Sequence, residues 1–190
     1  AVVPTYPRHP TVMAQLALTA NAAAAGRFVL GLGLSHKLVI EDMLGYSYEK
    51  PARHMREYLE VLLPLLDGEN VQHQGDEFKI AAQIQVPGVE APSVMIAALG
   101  PVMLKIAGER TDGTITWMTG PKTLGDHIGP RLRSAAEEAG RGEPRVVAGF
   151  PISLTNDADR ARTVIGKLLT IYGQLPSYRA MLDREGVEGP

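Results

Sequence analysis

Residues 28–34, Phe28-Val29-Leu30-Gly31-Leu32-Gly33-Leu34, form an unbroken apolar run between Arg27 and Ser35. A strand with one face in water alternates apolar and polar side chains. A strand that does not alternate is covered on both faces, which is the signature of a parallel sheet flanked by helices. Parallel neighbours cannot be joined by a tight hairpin, so each must be followed by a crossover, usually a helix. This run therefore constrains the chain to an α/β fold, and the rest of the sequence must supply the crossovers.

It does so. Residues 1–6 are short, apolar and extended, and Pro10 stands where a first helical turn begins. The spacing predicts a helix over residues 11–25, with a stripe of Val12, Met13, Leu16, Ala17, Ala20, Ala23 and Ala24 and a stop at Gly26. After a polar-to-mixed connection over residues 36–50, Pro51 opens a second helix. Its apolar stripe is Met55, Tyr58, Leu59, Leu62, Leu63 and Leu66; Gly68 closes it, and Pro64 should kink its last turn. Weak alternation over residues 71–80 around Gln74-Gly75-Asp76 predicts a small inserted hairpin. Further strands are expected over residues 94–98, 114–118 and 145–154. They lead into helices over 102–107, over 123–139 and from Asp157 onward, the last capped by Thr155 or Asn156. Five strand–helix units in sequence require a parallel sheet covered by helices, which either a doubly wound open sheet or an eightfold barrel satisfies; the strands are expected in chain order. A complete eightfold barrel takes about 250 residues, so 190 residues fit an incomplete one. Both ends read as interior points of such a barrel: Ala1-Val2-Val3-Pro4 resembles mid-strand, and the segment ending at Gly189-Pro190 resembles a turn. The chain is expected to form a single, truncated domain over residues 1–190.

Composition narrows the function. A net charge of −2, with basic residues scattered singly or in pairs, gives no electrostatic footprint for nucleic acid or an anionic membrane. No segment approaches the roughly 18 apolar residues of a membrane helix. The absence of cysteine excludes disulfides, thiolate metal sites and a cysteine nucleophile, and it fits a cytoplasmic protein. The five histidines show no metal-ligand spacing. No G-x-S-x-G elbow supports a hydrolase. His54 is expected to be solvated, His127 to lie on a surface helix, and the Glu57/Glu60 and Glu137/Glu138 pairs to be exposed helix faces.

The residues that could carry chemistry sit just after the strands, at the face that holds ligands in α/β proteins. Gly31-Leu32-Gly33-Leu34-Ser35-His36 fails as a dinucleotide fingerprint, because His36 occupies the third glycine position and no helix follows at once. Its glycines serve equally well for strand packing or for close approach of a cofactor. Ala97-Ala98-Leu99-Gly100-Pro101 ends a buried strand in small residues and opens a helix, which is either an ordinary tight turn or a backbone anion site. Trp117, the single tryptophan, ends the next strand, where it could stack near a ring cofactor or fill the core. His9 and His36 are the catalytic candidates.

Taken together, five segments resemble the luciferase-like monooxygenase superfamily, in its branch using the deazaflavin coenzyme F420. They are Thr5-Tyr6-Pro7-Arg8-His9-Pro10, Gly26-Arg27-Phe28-Val29-Leu30-Gly31-Leu32-Gly33, Pro51-Ala52-Arg53-His54-Met55-Arg56-Glu57-Tyr58-Leu59, Ala97-Ala98-Leu99-Gly100-Pro101 and Asp112-Gly113-Thr114-Ile115. The resemblance implies a (β/α)8 TIM barrel of which about strands three to seven are present. It implies a flavin- or deazaflavin-dependent oxidoreductase that transfers a hydride between F420 and a small organic substrate, the redox chemistry being the cofactor's. It implies that Leu34, Ser35, His36, Ala97, Ala98, Leu99, Gly100 and Pro101 hold the cofactor's phosphate-bearing tail. The family's third-strand bulge would fall at or just before Ala1. With FMN in place of F420, oxygen-dependent monooxygenation is the alternative. A homodimer is the expected assembly of the full-length protein. Two other classes stand beside this reading: a non-catalytic barrel relative, which would bind neither cofactor, and a doubly wound nucleotide-binding domain, which would need a phosphate fingerprint after its first strand.

Overall fold

A computed structural model describes residues 2–187. The expected features at Ala1 and at Gly189-Pro190 lie outside the described residues. The chain divides into two compact units: the residues up to Ala97 with Arg110–Asp112, and Ala98–Glu109 with Gly113 onward.

In the first unit, strands β1 (Val3–Pro4), β2 (Val29–Gly33) and β5 (Ser93–Ile96) run parallel in that order. The register pairs Val3 with Leu32 and Leu32 with Ile96. Leu30, Leu32, Val94, Met95 and Ile96 are buried, as an unalternating run demands. Strands β3 (Val71–Gln74) and β4 (Lys79–Ala82) form the expected hairpin, antiparallel and apart from that sheet. Helix α2 (Pro51–Leu66) runs on through Pro64 and packs against α1 (Pro10–Ala23). Met55, Tyr58, Leu59, Val61, Leu62 and Leu65 are fully enclosed.

Helix α1 corrects the expected stripe. It buries Met13, Ala14, Ala17, Leu18 and Asn21, leaving Val12 and Leu16 exposed. In an alanine-rich helix the apolar residues go nearly all round, so periodicity does not select a face. A polar residue does. The Asn21 amide donates to the Glu90 carbonyl at 3.0 Å and accepts from the Phe28 N–H at 3.2 Å, fixing the rotation of the helix. The connection over residues 36–50 also holds more structure than expected. Leu38–Met43 forms a π-helical turn around the buried Ile40.

In the second unit, β6 (Gly113–Trp117) and β7 (Arg145–Gly149) are parallel. Helix α3 (Pro101–Arg110) exceeds its expected span. Gly108 does not end it, because Gly108 lets another backbone pass: a Cβ there would lie 2.5 Å from the Leu132 carbonyl oxygen. The helix expected over residues 123–139 is divided into α4 (Pro121–Thr123), a π-helical turn (Leu124–Ile128) and α5 (Gly129–Glu138). Pro130 has no N–H to return to the preceding turn, so the ladder widens ahead of it. Strand β7 stops at Gly149, well short of the expected residue 154. Phe150, Ile152 and Leu154 are exposed, and Pro151 can donate no ladder bond. Helix α6 (Ala158–Gln174) is capped by Asp157, whose carboxylate accepts from the Arg160 N–H at 3.0 Å. Thr155 instead accepts from the Asp157 N–H, holding that cap in place. Helix α7 (Pro176–Glu185) completes the unit. Among the described residues no helix is long and apolar enough to cross a membrane.

Candidate functional site

Parallel strands send their C-terminal ends the same way. In the first unit this puts Thr5, the turn Leu34-Ser35-His36 and Ala97 on one rim. Backbone bonds close the rim: the Thr5 N–H donates to the Gly33 carbonyl at 3.0 Å and the Ala97 N–H to the Leu32 carbonyl at 2.7 Å. Ser35 holds φ at 60°, a left-handed conformation uncommon for a residue with a side chain. The Tyr48 hydroxyl donates to its carbonyl at 3.1 Å, so the connection over residues 36–50 folds back to hold this turn. His36 is half-buried, and burial pushes its proton affinity down. His9 is exposed and caps α1: its Nδ1 accepts from the Thr11 N–H at 3.4 Å.

Behind this rim lies a cluster that sequence reasoning missed. His54, expected in solvent, is buried. Its Nε2 lies 3.1 Å from the Thr5 hydroxyl and its Nδ1 3.4 Å from a Glu77 carboxylate oxygen. Its ring stacks on Tyr6 with centroids 4.0 Å apart and planes 4° from parallel. Burial lowers the proton affinity of His54, with Glu77 and Glu57 pulling the other way. Glu57, expected on an exposed face, is buried too. Its carboxylate accepts from the backbone N–H groups of Glu77 at 3.0 Å and Phe78 at 2.8 Å, and pairs with His73 Nε2 at 3.1 Å. Burial alone would raise its pKa. The Phe78 N–H, His73 and the Glu77 N–H outweigh that and hold it below the ordinary carboxylate value. The Tyr58 hydroxyl donates to the Arg8 carbonyl at 2.9 Å. The signal was present: His54 sits four residues before Tyr58, and Glu57 four before Val61, on the buried rows of α2.

In the second unit the turn Ala98-Leu99-Gly100-Pro101 leads into α3. Ala98 is buried, and its N–H donates to the Thr114 hydroxyl at 3.1 Å. The Leu99 carbonyl accepts from His127 Nε2 at 2.8 Å. His127, expected on a surface helix, is therefore an interior residue, with 2% of its surface exposed. The π-helical turn before Pro130 presents it there. A Cβ placed on Gly100 would meet nothing within 4 Å. The turn thus faces open space at the point where α3 begins, and the first N–H groups of a helix have no partner within it. Trp117 is half-buried, with its ring against Gly149, where an added Cβ would lie 2.9 Å from the ring. Met118 follows it at a left-handed φ of 53°. Of the expected site residues, Leu34, Ser35, His36 and Ala97 belong to the first unit, and Ala98, Leu99, Gly100, Pro101 and Trp117 to the second.

The luciferase-like monooxygenase family model matches residues 1–190. A 5,10-methylenetetrahydromethanopterin reductase of Archaeoglobus fulgidus is 30% identical over 188 residues, covering 96% of this chain and 55% of the relative. Among solved structures, the coenzyme F420-dependent tetrahydromethanopterin reductase of Methanopyrus kandleri superposes with a TM-score of 0.82 at 26% identity. It covers 98% of this chain and 58% of that one. An F420-dependent secondary alcohol dehydrogenase in complex with an F420–acetone adduct has a TM-score of 0.75 at 19% identity, over 94% of this chain and 58% of that one. At that identity the likeness is one of fold. The chain spans little more than half the length of these proteins. With the whole of its length matched and its parallel strands followed by helices, the chain belongs to the luciferase-like monooxygenase family.

Proposed function

We propose that the protein to which this chain belongs is an F420-dependent oxidoreductase, with the turn Ala98-Leu99-Gly100-Pro101 as the seat of the cofactor's phosphate. When bound, F420 would supply the hydride chemistry; the chain's task is binding and orientation. The observation that carries this reading is the open space at Gly100. The backbone is bare there, a helix of ten residues starts there, and its dipole favours an anion by about 0.3–1 kcal/mol. Support for F420 in particular comes from the solved coenzyme F420-dependent reductase to which the chain is similar. Leu34, Ser35 and His36, just after β2, and Trp117, the last residue of β6, are proposed as further cofactor contacts. The substrate is proposed only as a small organic molecule.

The test is a fluorescence titration of the full protein with F420 and, separately, with FMN. Gly100→Val should weaken binding of the true cofactor about tenfold, or roughly 1.4 kcal/mol. The fold should persist, because the added side chain enters open space and Gly100 does not hold a left-handed φ. Unchanged affinity would remove the phosphate assignment. FMN binding with no F420 binding would transfer the reading to a flavin enzyme.

A further inference from the structure

The His127 imidazole makes a single hydrogen bond among the described residues, from an interior position. Its Nε2 meets a carbonyl oxygen, which can only accept, so Nε2 carries the proton. Nδ1 is buried and meets no hydrogen-bond partner among the described residues, so the ring is held from one side, and burial favours its neutral form. A buried orphan nitrogen costs free energy, and an apolar side chain of similar size would avoid it. What the imidazole supplies that an apolar group could not is the bond to Leu99.

That bond has a geometric consequence. The Leu99 carbonyl and the Gly100 N–H belong to one peptide unit, and no described peptide bond is cis. In a trans peptide the two groups point in opposite directions. Fixing the carbonyl toward His127 therefore directs the Gly100 N–H away from it. Thr114 fixes the preceding residue in the same way, its hydroxyl lying 3.1 Å from the Ala98 nitrogen and 3.3 Å from the Ala98 oxygen. The turn is thus pinned from below at two successive residues just before α3 begins.

We propose that His127 is a positioning residue for this turn, holding the Leu99 carbonyl so that the Gly100 N–H is presented to a bound phosphate. This rests on the phosphate reading given above. His127 touches no cofactor atom and acts through the Leu99–Gly100 peptide.

The test uses the full protein with F420 as probe. His127→Leu should weaken F420 binding about fivefold to tenfold, the effect of losing one hydrogen bond that orients the turn. The KM for F420 should rise, while kcat at saturating F420 changes little. His127→Gln, which keeps a donor at similar reach, should recover most of the affinity. In wild type, imidazole nitrogen NMR should show the Nε2–H tautomer with an unprotonated Nδ1. Wild-type affinity in His127→Leu, beside weakened binding in Gly100→Val, would overturn the positioning role and leave the phosphate site standing. Unchanged affinity in both variants would remove the site and this role with it. An Nδ1–H tautomer in the wild-type protein would overturn the role without any variant.

Discussion

His54 and His127 are both enclosed imidazoles on helices, one in each unit, and they are held in opposite ways. His54 has a partner for each nitrogen, a tyrosine stacked on its ring, and a carboxylate within 3.4 Å. His127 has one carbonyl for one nitrogen and, among the described residues, nothing for the other. A proton added to His54 would find Glu77. A proton added to His127 would find no acceptor among the described residues and two nearby arginines, Arg184 and Arg131, which oppose it. Burial is the main reason that each has a lowered proton affinity. The lesson is that burial sets the direction of such a shift, and the neighbours decide whether the charged form has a place to go.

The largest expected effect tests how firmly the His54 cluster is anchored. Glu57→Ala removes the acceptor for the Glu77 and Phe78 N–H groups and the partner of His73. Leaving these donors unpaired should cost roughly 2–3 kcal/mol in urea unfolding. A loss no larger than that of an exposed substitution would mean that water satisfies the hairpin and the anchor is unimportant. A smaller effect compares the histidines directly. His54→Leu loses two hydrogen bonds and a stacked ring, at about 1–2 kcal/mol. His127→Leu loses one bond but also removes an orphan nitrogen, at about 1 kcal/mol or less. The reverse order of unfolding midpoints would break the comparison.

The smallest effect is in pH. A histidine whose folded-state pKa lies below its ordinary value near 6.5 contributes stability that is complete above that value. As pH falls from there toward the folded-state pKa, the unfolded chain takes up the proton first and the contribution is lost. Stability should therefore decline as pH is lowered below about 6.5. Both His54→Gln and His127→Gln should flatten the decline, His127→Gln the more, because its proton has no acceptor. Chemical denaturation of the three proteins across that range measures the slopes. Equal slopes in wild type and His127→Gln would show that the imidazole is protonated without penalty.

Much of the frame was legible in advance. The unalternating run that became β2, the hairpin, and the helix openings at Pro10, Pro51 and Pro101 follow from local chemistry that each segment carries by itself. The turn at Ala97-Ala98-Leu99-Gly100-Pro101 was legible for the same reason, since small residues before a helix start identify it locally. Errors clustered where polar side chains are buried. His54, Glu57 and His127 were each expected outside because a charged or polar residue on an amphipathic helix usually is.

What placed them inside are partners far along the chain: Thr5 lies 49 residues from His54, Phe78 21 from Glu57, and Leu99 28 from His127. The face that α1 turns inward was decided similarly, by a bond from Asn21 to Glu90, 69 residues away. The sequence by itself determined the alternation of buried strands and helices, and with it the α/β class and the family. Hydrophobic periodicity is local, and each segment pays its own cost for exposing apolar surface. Only the tertiary structure decided which polar groups could leave water. A buried donor or acceptor is tolerated only where a partner arrives, and the sequence neighbours of His54, Glu57, Asn21 and His127 do not reveal who that partner is.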